Sequence, residues 1–159
     1  FARNTGPALS PFNAWILSKS LETLAVRLDR HCQTALALAK FLESHPKVAW
    51  VKYPFLSSHP QYAIAKKQML KGGNIVSFEI RGGLKAGRAF LNAIEMCSLS
   101  ANLGDSRTIV THPASSTHSK LDETDRQAVG ITDGMIRLSV GLEHQEDIQK
   151  DLVNALEQL

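Results

Sequence analysis

Polar residues that could bind an anion are concentrated in residues 98–119, and Arg137 follows in a short apolar run. The segment Asn102-Leu103-Gly104-Asp105 predicts a turn, because Asn tolerates left-handed backbone and Gly adopts it freely, and backbone N–H groups of such a turn can point at a ligand. A dense patch of hydroxyl groups follows at residues 115–119. Because unpartnered polar groups are costly to bury, this stretch is either a solvated loop or grouped around a ligand.

Arg137 is the residue best suited to carboxylate chemistry. It lies in residues 135–140, where aliphatic residues occupy alternate positions, and this pattern predicts a strand whose aliphatic side chains face a core. Arg137 and Ser139 then lie on the opposite face. A guanidinium group can pair with a carboxylate through two parallel hydrogen bonds, which a lysine cannot reproduce. From the residues alone, a surface arginine on a solvated face and an arginine that binds a carboxylate both remain open.

A long helical pattern opens the chain, since Ser10 is a good N-cap and Pro11 suits the first helical position. Apolar residues then recur every three or four positions as far as Leu42, and no Gly or Pro interrupts before Pro46, which predicts one long helix or two helices nearly in line. The same reasoning predicts strands at 48–53, 74–80, 107–111 and 135–140, and helices at 61–70, 84–96, 122–130 and 145–159. In the helix at 84–96, the residues expected to face the core are Leu84, Phe90 or Leu91, and Ile94.

These elements predict an α+β fold with a small, largely antiparallel sheet and helices packed on one of its faces. Strands and helices do not alternate regularly enough for a doubly wound sheet, and the sequence holds neither a GxGxxG motif nor a P-loop. We expect two parts, a connector segment with the long helix at residues 1–45 and a small domain at residues 46–159.

The composition is that of a globular domain, with 159 residues of which 43% are hydrophobic and 21% charged. The net charge of +3 is mild and the Lys and Arg residues are scattered, which argues against a nucleic-acid surface. No apolar run reaches the roughly 20 residues that a membrane helix needs.

Cys32 and Cys97 are far apart and the six His show no ligand spacing, so we expect reduced core thiols in a cytoplasmic protein and no metal site. The chain opens at Phe1 without an initiator Met, so we expect it to be a piece of a longer protein.

Several motifs of one enzyme family occur along the whole chain: GPALSPFNAW from Gly6, FLESHPKV from Phe41 and IRLSVGLE from Ile136. Together with the polar stretch they resemble the pyridoxal-phosphate-dependent enzymes of cysteine and methionine metabolism, which include cystathionine γ-synthase, cystathionine γ- and β-lyase, methionine γ-lyase and the O-acylhomoserine sulfhydrylases. Within that family, ANLGD from Ala101 and HPAS from His112 are most similar to O-acetylhomoserine sulfhydrylase.

The resemblance implies the carboxy-terminal domain of a fold-type I pyridoxal enzyme. The family's catalytic lysine lies in a Ser-x-Thr-Lys motif of the large domain, and this sequence has no such motif. The resemblance therefore implies that this chain holds no catalytic and no cofactor-binding residue, and that a missing N-terminal domain binds pyridoxal 5'-phosphate. It further implies a homotetramer for the complete enzyme.

Three substrate-binding residues are implied by the same resemblance. Arg137 occupies the position where the family binds the substrate α-carboxylate. Asn102 stands where relatives have a serine that helps to fix this carboxylate, and it could instead be a plain turn residue. Thr117 lies in the family's Thr-His pair, and its hydroxyl group could face the site or be satisfied by backbone. We expect Asp105 and Arg107 to pair with each other, and His112 and His118 to be structural.

The activity that the resemblance implies is the replacement of acetate in O-acetylhomoserine by sulfide or a thiol, which gives homocysteine or methionine. A cystathionine γ-synthase or γ-lyase of the same family is the alternative. From another class, the chain could be a binding or interaction module that keeps the fold without catalysis.

Overall fold

The computed structural model describes Gly6 and residues 8–159; Phe1, from which a longer protein was predicted, lies outside the described residues with the rest of 1–5 and residue 7. The helices are α1 Pro11–Glu22, α2 Leu24–Glu43, α3 Tyr62–Gln68, α4 Gly83–Ala93, α5 Glu123–Ala128 and α6 Gln145–Glu157, with a short 3-10 helix at Pro113–Ser115. The strands are β1 Val48–Lys52, β2 Ile75–Ile80, β3 Ser98–Leu99, β4 Ile109–Thr111 and β5 Met135–Ser139.

The five strands form one sheet in the order β1-β2-β5-β4-β3. The pairs β1–β2, β2–β5 and β4–β5 are antiparallel, and β3 pairs with β4 in parallel. The predicted small, largely antiparallel sheet is therefore confirmed. Its two central strands, β2 and β5, are those whose period-two alternation is clearest in the sequence.

Alternate residues of the central strands form the core face of the sheet. Val76 and Phe78 of β2 and Ile136 and Leu138 of β5 are fully buried, as their alternation predicts. Helices α2, α4 and α6 cover this face, and their buried side chains join the same cluster: Ala35, Leu38, Ala39, Leu42, Phe90, Ile148, Leu152, Ala155 and Leu156. The α+β fold with helices on one face is thus confirmed.

The opposite face of the sheet carries a row of polar side chains in register. Lys52 of β1 is paired with Ser77 of β2. Ser77 is also paired with Arg137 of β5, which is in turn paired with Thr111 of β4. Because directly paired residues point to the same side of a sheet, these four lie next to one another. Arg137 is therefore on the face away from the helices, as the alternation predicts.

The predicted long helix is two consecutive helices that meet at Thr23. The Ser10 hydroxyl group caps α1 by accepting a hydrogen bond from the Asn13 N–H at 3.2 Å, which confirms the predicted start. Every residue from 8 to 26 is exposed, and no residue of α1 is buried. The apolar stripe therefore packs on the sheet only in its later half, where α2 enters the core. The proposed boundary at residue 45 stays a prediction.

Two details differ from the sequence-based expectations. Phe90 is fully buried, as predicted, but Leu84 is 37% exposed, because the face of α4 that packs inward is the one with Gly87 and Phe90. The strand predicted at 107–111 is limited to β4, and the two-residue strand β3 was not predicted, since two residues are too few to show a period. Among the described residues, no helix combines the length and the apolar character needed to cross a membrane.

Candidate functional site

Arg137 carries a guanidinium group that is held at one nitrogen and unsatisfied at another. Its Nη2 donates to the backbone carbonyl oxygen atoms of Ala101, at 2.9 Å, and Asn102, at 3.2 Å. Its Nε is buried and has no hydrogen-bond partner among the described residues. The ion pairs of the described part of the chain also leave Arg137 without a carboxylate. Since buried donors are nearly always paired, the unpartnered Nε makes Arg137 a candidate for binding an anion.

The turn at residues 101–104 supplies the carbonyl groups that hold Arg137. Gly104 adopts a left-handed conformation there, with φ of +79°, which glycine tolerates without a steric cost. The Gly104 N–H donates to the Ser139 Oγ at 2.9 Å, and Ser139 is only 1% exposed. Arg137 and Ser139 are two residues apart on one face of β5, so this strand holds both ends of the turn.

The segment 102–108, which leads into β4, lies beside β5 and the residues that follow β5. Hydrogen bonds join three pairs of residues that are 35 positions apart: Asn102 with Arg137, Gly104 with Ser139, and Thr108 with Glu143. The Glu143 carboxylate accepts hydrogen bonds from the backbone N–H of Thr108, at 2.7 Å, and from its hydroxyl group, at 2.8 Å. A Cβ atom at Gly141 would overlap the backbone of Arg107 and Thr108, so only glycine permits this close approach.

Asp105 and Arg107 pair with each other, as predicted. The Asp105 Oδ1 accepts a hydrogen bond from the Arg107 backbone N–H at 3.0 Å, and its Oδ2 lies 3.3 Å from the Arg107 Nη2. The backbone hydrogen bond from Arg107 and then the guanidinium group lower the pKa of Asp105 to about 2. The pair therefore closes the loop that follows the turn.

Asn102 and Thr117 lie in different surroundings. Asn102 is exposed and contacts Arg137 through its backbone carbonyl group, at 3.2 Å. Thr117 is also exposed, and its hydroxyl group is bonded to the His118 Nδ1 at 2.9 Å; the described hydrogen bonds do not join it to Arg137. Asn102 is thus next to Arg137 in the structure, whereas the role of Thr117 in binding substrate stays a prediction.

His112 is built into the fold. Its Nε2 lies 2.7 Å from the Asp133 carbonyl oxygen, so this nitrogen carries the proton, and its Nδ1 accepts from the Ser115 hydroxyl group at 2.8 Å. The side chain is 1% exposed. Both ring nitrogens are therefore occupied by structural partners, and this histidine has no free nitrogen for acid–base chemistry.

A cavity of about 210 Å³ lies beside the turn, lined in part by Ser100, Ala101, Thr111 and His112. Its polar groups are already paired, because the Thr111 hydroxyl group donates to the Ser100 carbonyl oxygen and both His112 nitrogens are occupied. Arg137 does not line it. The cavity therefore offers little to a charged ligand, and the face around Arg137 is the stronger candidate site.

Sequence reasoning identified Arg137 but missed the residues that hold its surroundings in place. Alternation put Ser139 on the same face, yet nothing in its position shows that a turn 35 residues earlier covers it. Glu143 and Thr108 likewise belong to no recognisable motif as a pair. The separation of 35 residues that these partners share with the other two pairs is the one sequence signal, and it can be used only after one of the contacts is known.

Comparison with known proteins gives matches along nearly the whole chain. The family model for Cys/Met metabolism PLP-dependent enzymes matches residues 1–157. An L-methionine gamma-lyase of Fusobacterium nucleatum is 48% identical over 155 residues, which cover 98% of this chain and 39% of the relative. An O-acetyl-L-homoserine sulfhydrylase of Leptospira meyeri is 47% identical over 159 residues, which cover 99% of this chain and 36% of the relative.

A solved structure gives the same result in three dimensions. It is that of a Campylobacter jejuni protein assigned as an O-acetylhomoserine (thiol)-lyase, with N'-pyridoxyl-lysine-5'-monophosphate in its chain. The TM-score is 0.91 at 43% identity, over 98% of this chain and 37% of that chain. This chain thus spans less than two fifths of the length of the relatives it matches. With the family model matched from residue 1 to residue 157, the chain belongs to the pyridoxal-phosphate-dependent enzymes of cysteine and methionine metabolism.

Proposed function

We propose that this chain is the carboxy-terminal, substrate-binding domain of a longer O-acetylhomoserine sulfhydrylase. The complete enzyme would replace the acetate group of O-acetylhomoserine by sulfide or a thiol and so give homocysteine or methionine. The observation that carries the proposal is Arg137, whose guanidinium group has an unpartnered buried Nε and no carboxylate partner among the described residues. We also propose a cytoplasmic homotetramer for the complete enzyme.

Arg137 would bind the α-carboxylate that every amino-acid substrate of the family carries. A guanidinium group can donate two parallel hydrogen bonds to the two oxygens of a carboxylate. The carbonyl groups of Ala101 and Asn102 accept hydrogen bonds from Nη2 and hold the guanidinium plane without cancelling its charge. Such a clamp fixes the substrate in one orientation, and well-oriented reactants account for a large part of many rate enhancements. Asn102 and, as a weaker candidate, Thr117 would complete the carboxylate site.

The cofactor of the family requires residues that this face does not offer. Pyridoxal phosphate is held through a lysine amine, as the pyridoxyl-lysine of the Campylobacter jejuni structure illustrates. The described neighbours of Arg137 are backbone carbonyl groups and hydroxyl groups, which fit the surroundings of a carboxylate clamp and not a cofactor cradle. We therefore assign the cofactor lysine to a part of the longer protein outside this chain, and no catalytic residue to the chain itself.

Two observations bear on which family activity is present. The segment Ala101-Asn102-Leu103-Gly104-Asp105 resembles O-acetylhomoserine sulfhydrylases, and the Leptospira meyeri relative supports this assignment over 99% of the chain. Relatives named L-methionine gamma-lyase are equally similar, at 46–48% identity, which makes methionine γ-cleavage the second candidate. A cystathionine γ-synthase or γ-lyase is a further alternative, and a non-catalytic module is the alternative outside enzymes.

A paired assay of the longer, cofactor-loaded protein tests the proposal. Incubated with O-acetylhomoserine and sulfide, it should form homocysteine and acetate in equal amounts, with only slow release of ammonia and 2-oxobutyrate from L-methionine. Faster turnover of L-methionine than of O-acetylhomoserine would favour the methionine γ-lyase instead. No turnover of either substrate, or of cystathionine, would support a non-catalytic module.

A further inference from the structure

We infer that Ser139 is a positioning residue for the carboxylate-binding arginine, an inference that rests on the proposed role of Arg137. Ser139 follows Arg137 by two residues on the same face of β5. It is 1% exposed although this face points away from the core helices. Its burial has a local cause, the turn at residues 101–104, whose Gly104 N–H donates to the Ser139 Oγ at 2.9 Å.

The turn has few other attachments. Within the described residues it makes no backbone–backbone hydrogen bond. Apart from Gly104, it is held by the Asn102 N–H, which donates to the Ser100 Oγ at 3.3 Å, and by the two carbonyl groups that accept from Arg137. When Arg137 rotates to meet a carboxylate, these carbonyl contacts must stretch or be shared. The hydrogen bond to Ser139 is then the main link that keeps the turn on β5.

The Ser139 oxygen is itself fixed from a second direction. The Asn74 Nδ2 donates to the Ser139 Oγ at 3.3 Å and to the Val140 carbonyl oxygen at 3.4 Å. A residue without an oxygen at position 139 leaves both the Gly104 N–H and the Asn74 amide without this acceptor. The turn would shift, and its carbonyl groups would no longer hold the guanidinium plane in the same direction.

This arrangement predicts a selective defect. Loss of the Ser139 hydroxyl group should weaken ligands that carry an α-carboxylate, because only these contact Arg137. Ligands of the same size without a carboxylate should bind as before. A merely structural role of Ser139 would weaken both kinds of ligand together or lower only the melting temperature.

The test uses the longer, cofactor-loaded enzyme and two probes, L-norvaline and its counterpart without the carboxylate, n-butylamine. Dissociation constants are measured by calorimetry for Ser139→Ala and for Ser139→Cys, which keeps the volume and replaces a good acceptor by a weak one. Ser44→Ala is the control, because the Ser44 hydroxyl group donates to the Phe41 carbonyl oxygen at the end of α2 and is not bonded to the turn in the described part of the chain. Arg137→Ala reports on the proposed function itself.

Both Ser139 variants should raise the dissociation constant of L-norvaline about three- to tenfold, which is the effect of one lost hydrogen bond. They should leave that of n-butylamine unchanged, and Ser44→Ala should change neither. An unchanged L-norvaline affinity, an equal loss for both probes, or an effect in Ser139→Ala without one in Ser139→Cys would overturn the inference. If Arg137→Ala also leaves L-norvaline binding unchanged, the proposed carboxylate site is wrong as well.

Discussion

At the scale of single residues, Asp151 shows how one carboxylate orders a loop. It lies in α6, and its two oxygen atoms accept hydrogen bonds from the backbone N–H groups of Glu95, at 2.9 Å, Met96, at 3.2 Å, and Cys97, at 2.9 Å. These residues connect α4 with β3. Burial opposes the ionisation of Asp151, but the hydrogen bonds from Cys97, Glu95 and Met96 outweigh it and lower its pKa.

The lowered pKa predicts a stability that depends on pH. A carboxyl group whose pKa is lower in the folded state stabilises the fold above its unfolded pKa, and this contribution is lost as the pH falls through the folded pKa. Asp151→Asn should lower the free energy of unfolding by about 1–3 kcal/mol at pH 7. It should also remove part of the stability loss that the chain shows below about pH 4.

Denaturant unfolding at pH 7 and at acidic pH measures both effects. Glu157→Gln is the control, since Glu157 is exposed at the C-terminal end of the same helix. The interpretation fails if Asp151→Asn keeps the full acid dependence of the unmodified chain, or if the control loses as much stability.

Arg137 and Asp151 differ in how far their surroundings could be predicted from the sequence. Arg137 could be predicted because its aliphatic neighbours occupy every second position of one strand, which leaves it a single face. The role of Asp151 could not be predicted, because the sequence does not distinguish a buried acidic residue of an amphipathic helix from a solvated one. Its partners are backbone N–H groups 54–56 residues earlier, and backbone groups carry no sequence signature.

At the scale of elements, α1 and α6 differ in what holds them in place. α1 has a capped N-terminus but buries no residue. α6 buries five residues, among them Ile148, Leu152 and Leu156. Since most helical stability in proteins comes from packing and not from intrinsic propensity, α1 should open without the rest of the fold.

Amide hydrogen exchange on the 159-residue chain, at a concentration at which it is monomeric, tests this difference. Amides in the middle of α1 should exchange at least about a hundredfold faster than those in the middle of α6, whose opening requires disruption of the core. Equal protection of the two helices would show that α1 is stabilised by contacts other than those described.

The elements themselves follow from periodicity to a large extent. β2 and β5 were predictable because one face is buried, and α6 because its apolar residues recur at helical spacing. The same spacing in α1 predicted a helix correctly but not its exposure, because periodicity reports a stripe and not what covers it. The break between α1 and α2 at Thr23 also has no signal, since no Gly or Pro marks it.

At the scale of the whole molecule, the most unusual feature is the apolar surface of α1 and the start of α2. Phe12 and Trp15 are about 60% exposed, and the centroids of their rings are 5.9 Å apart. Further exposed apolar residues continue along the same segment: Ile16, Leu17, Leu21, Leu24, Val26 and Leu28. Apolar patches of several hundred Å² are uncommon on monomeric proteins and usually mark an interface.

The isolated chain should therefore self-associate. Sedimentation over a concentration series should show species larger than a monomer, and replacement of Phe12 and Trp15 together by Ser should shift the distribution toward the monomer. Leu70→Ser is the matched control, because Leu70 is 97% exposed but lies outside this surface. A strictly monomeric chain, or an equal effect of the control, would contradict the prediction.

The central claim is that Arg137 binds the α-carboxylate of the substrate, and steady-state kinetics of the longer, cofactor-loaded enzyme test it most directly. Hydrogen bonds to charged groups contribute about 1.5–3 kcal/mol each, and about 1.4 kcal/mol corresponds to a tenfold change. Arg137→Ala should therefore lower kcat/KM for O-acetylhomoserine by at least about 10- to 100-fold. Arg137→Lys should retain only part of the activity, because lysine keeps the positive charge but cannot donate two parallel hydrogen bonds to a carboxylate.

The melting temperature serves as the control, and it should change little because Arg137 lies on the face away from the core. The predicted result is a large loss of kcat/KM in an enzyme that melts like the unmodified one. A kcat/KM of Arg137→Ala within about twofold of the unmodified enzyme, or a loss that only parallels unfolding, would contradict the claim.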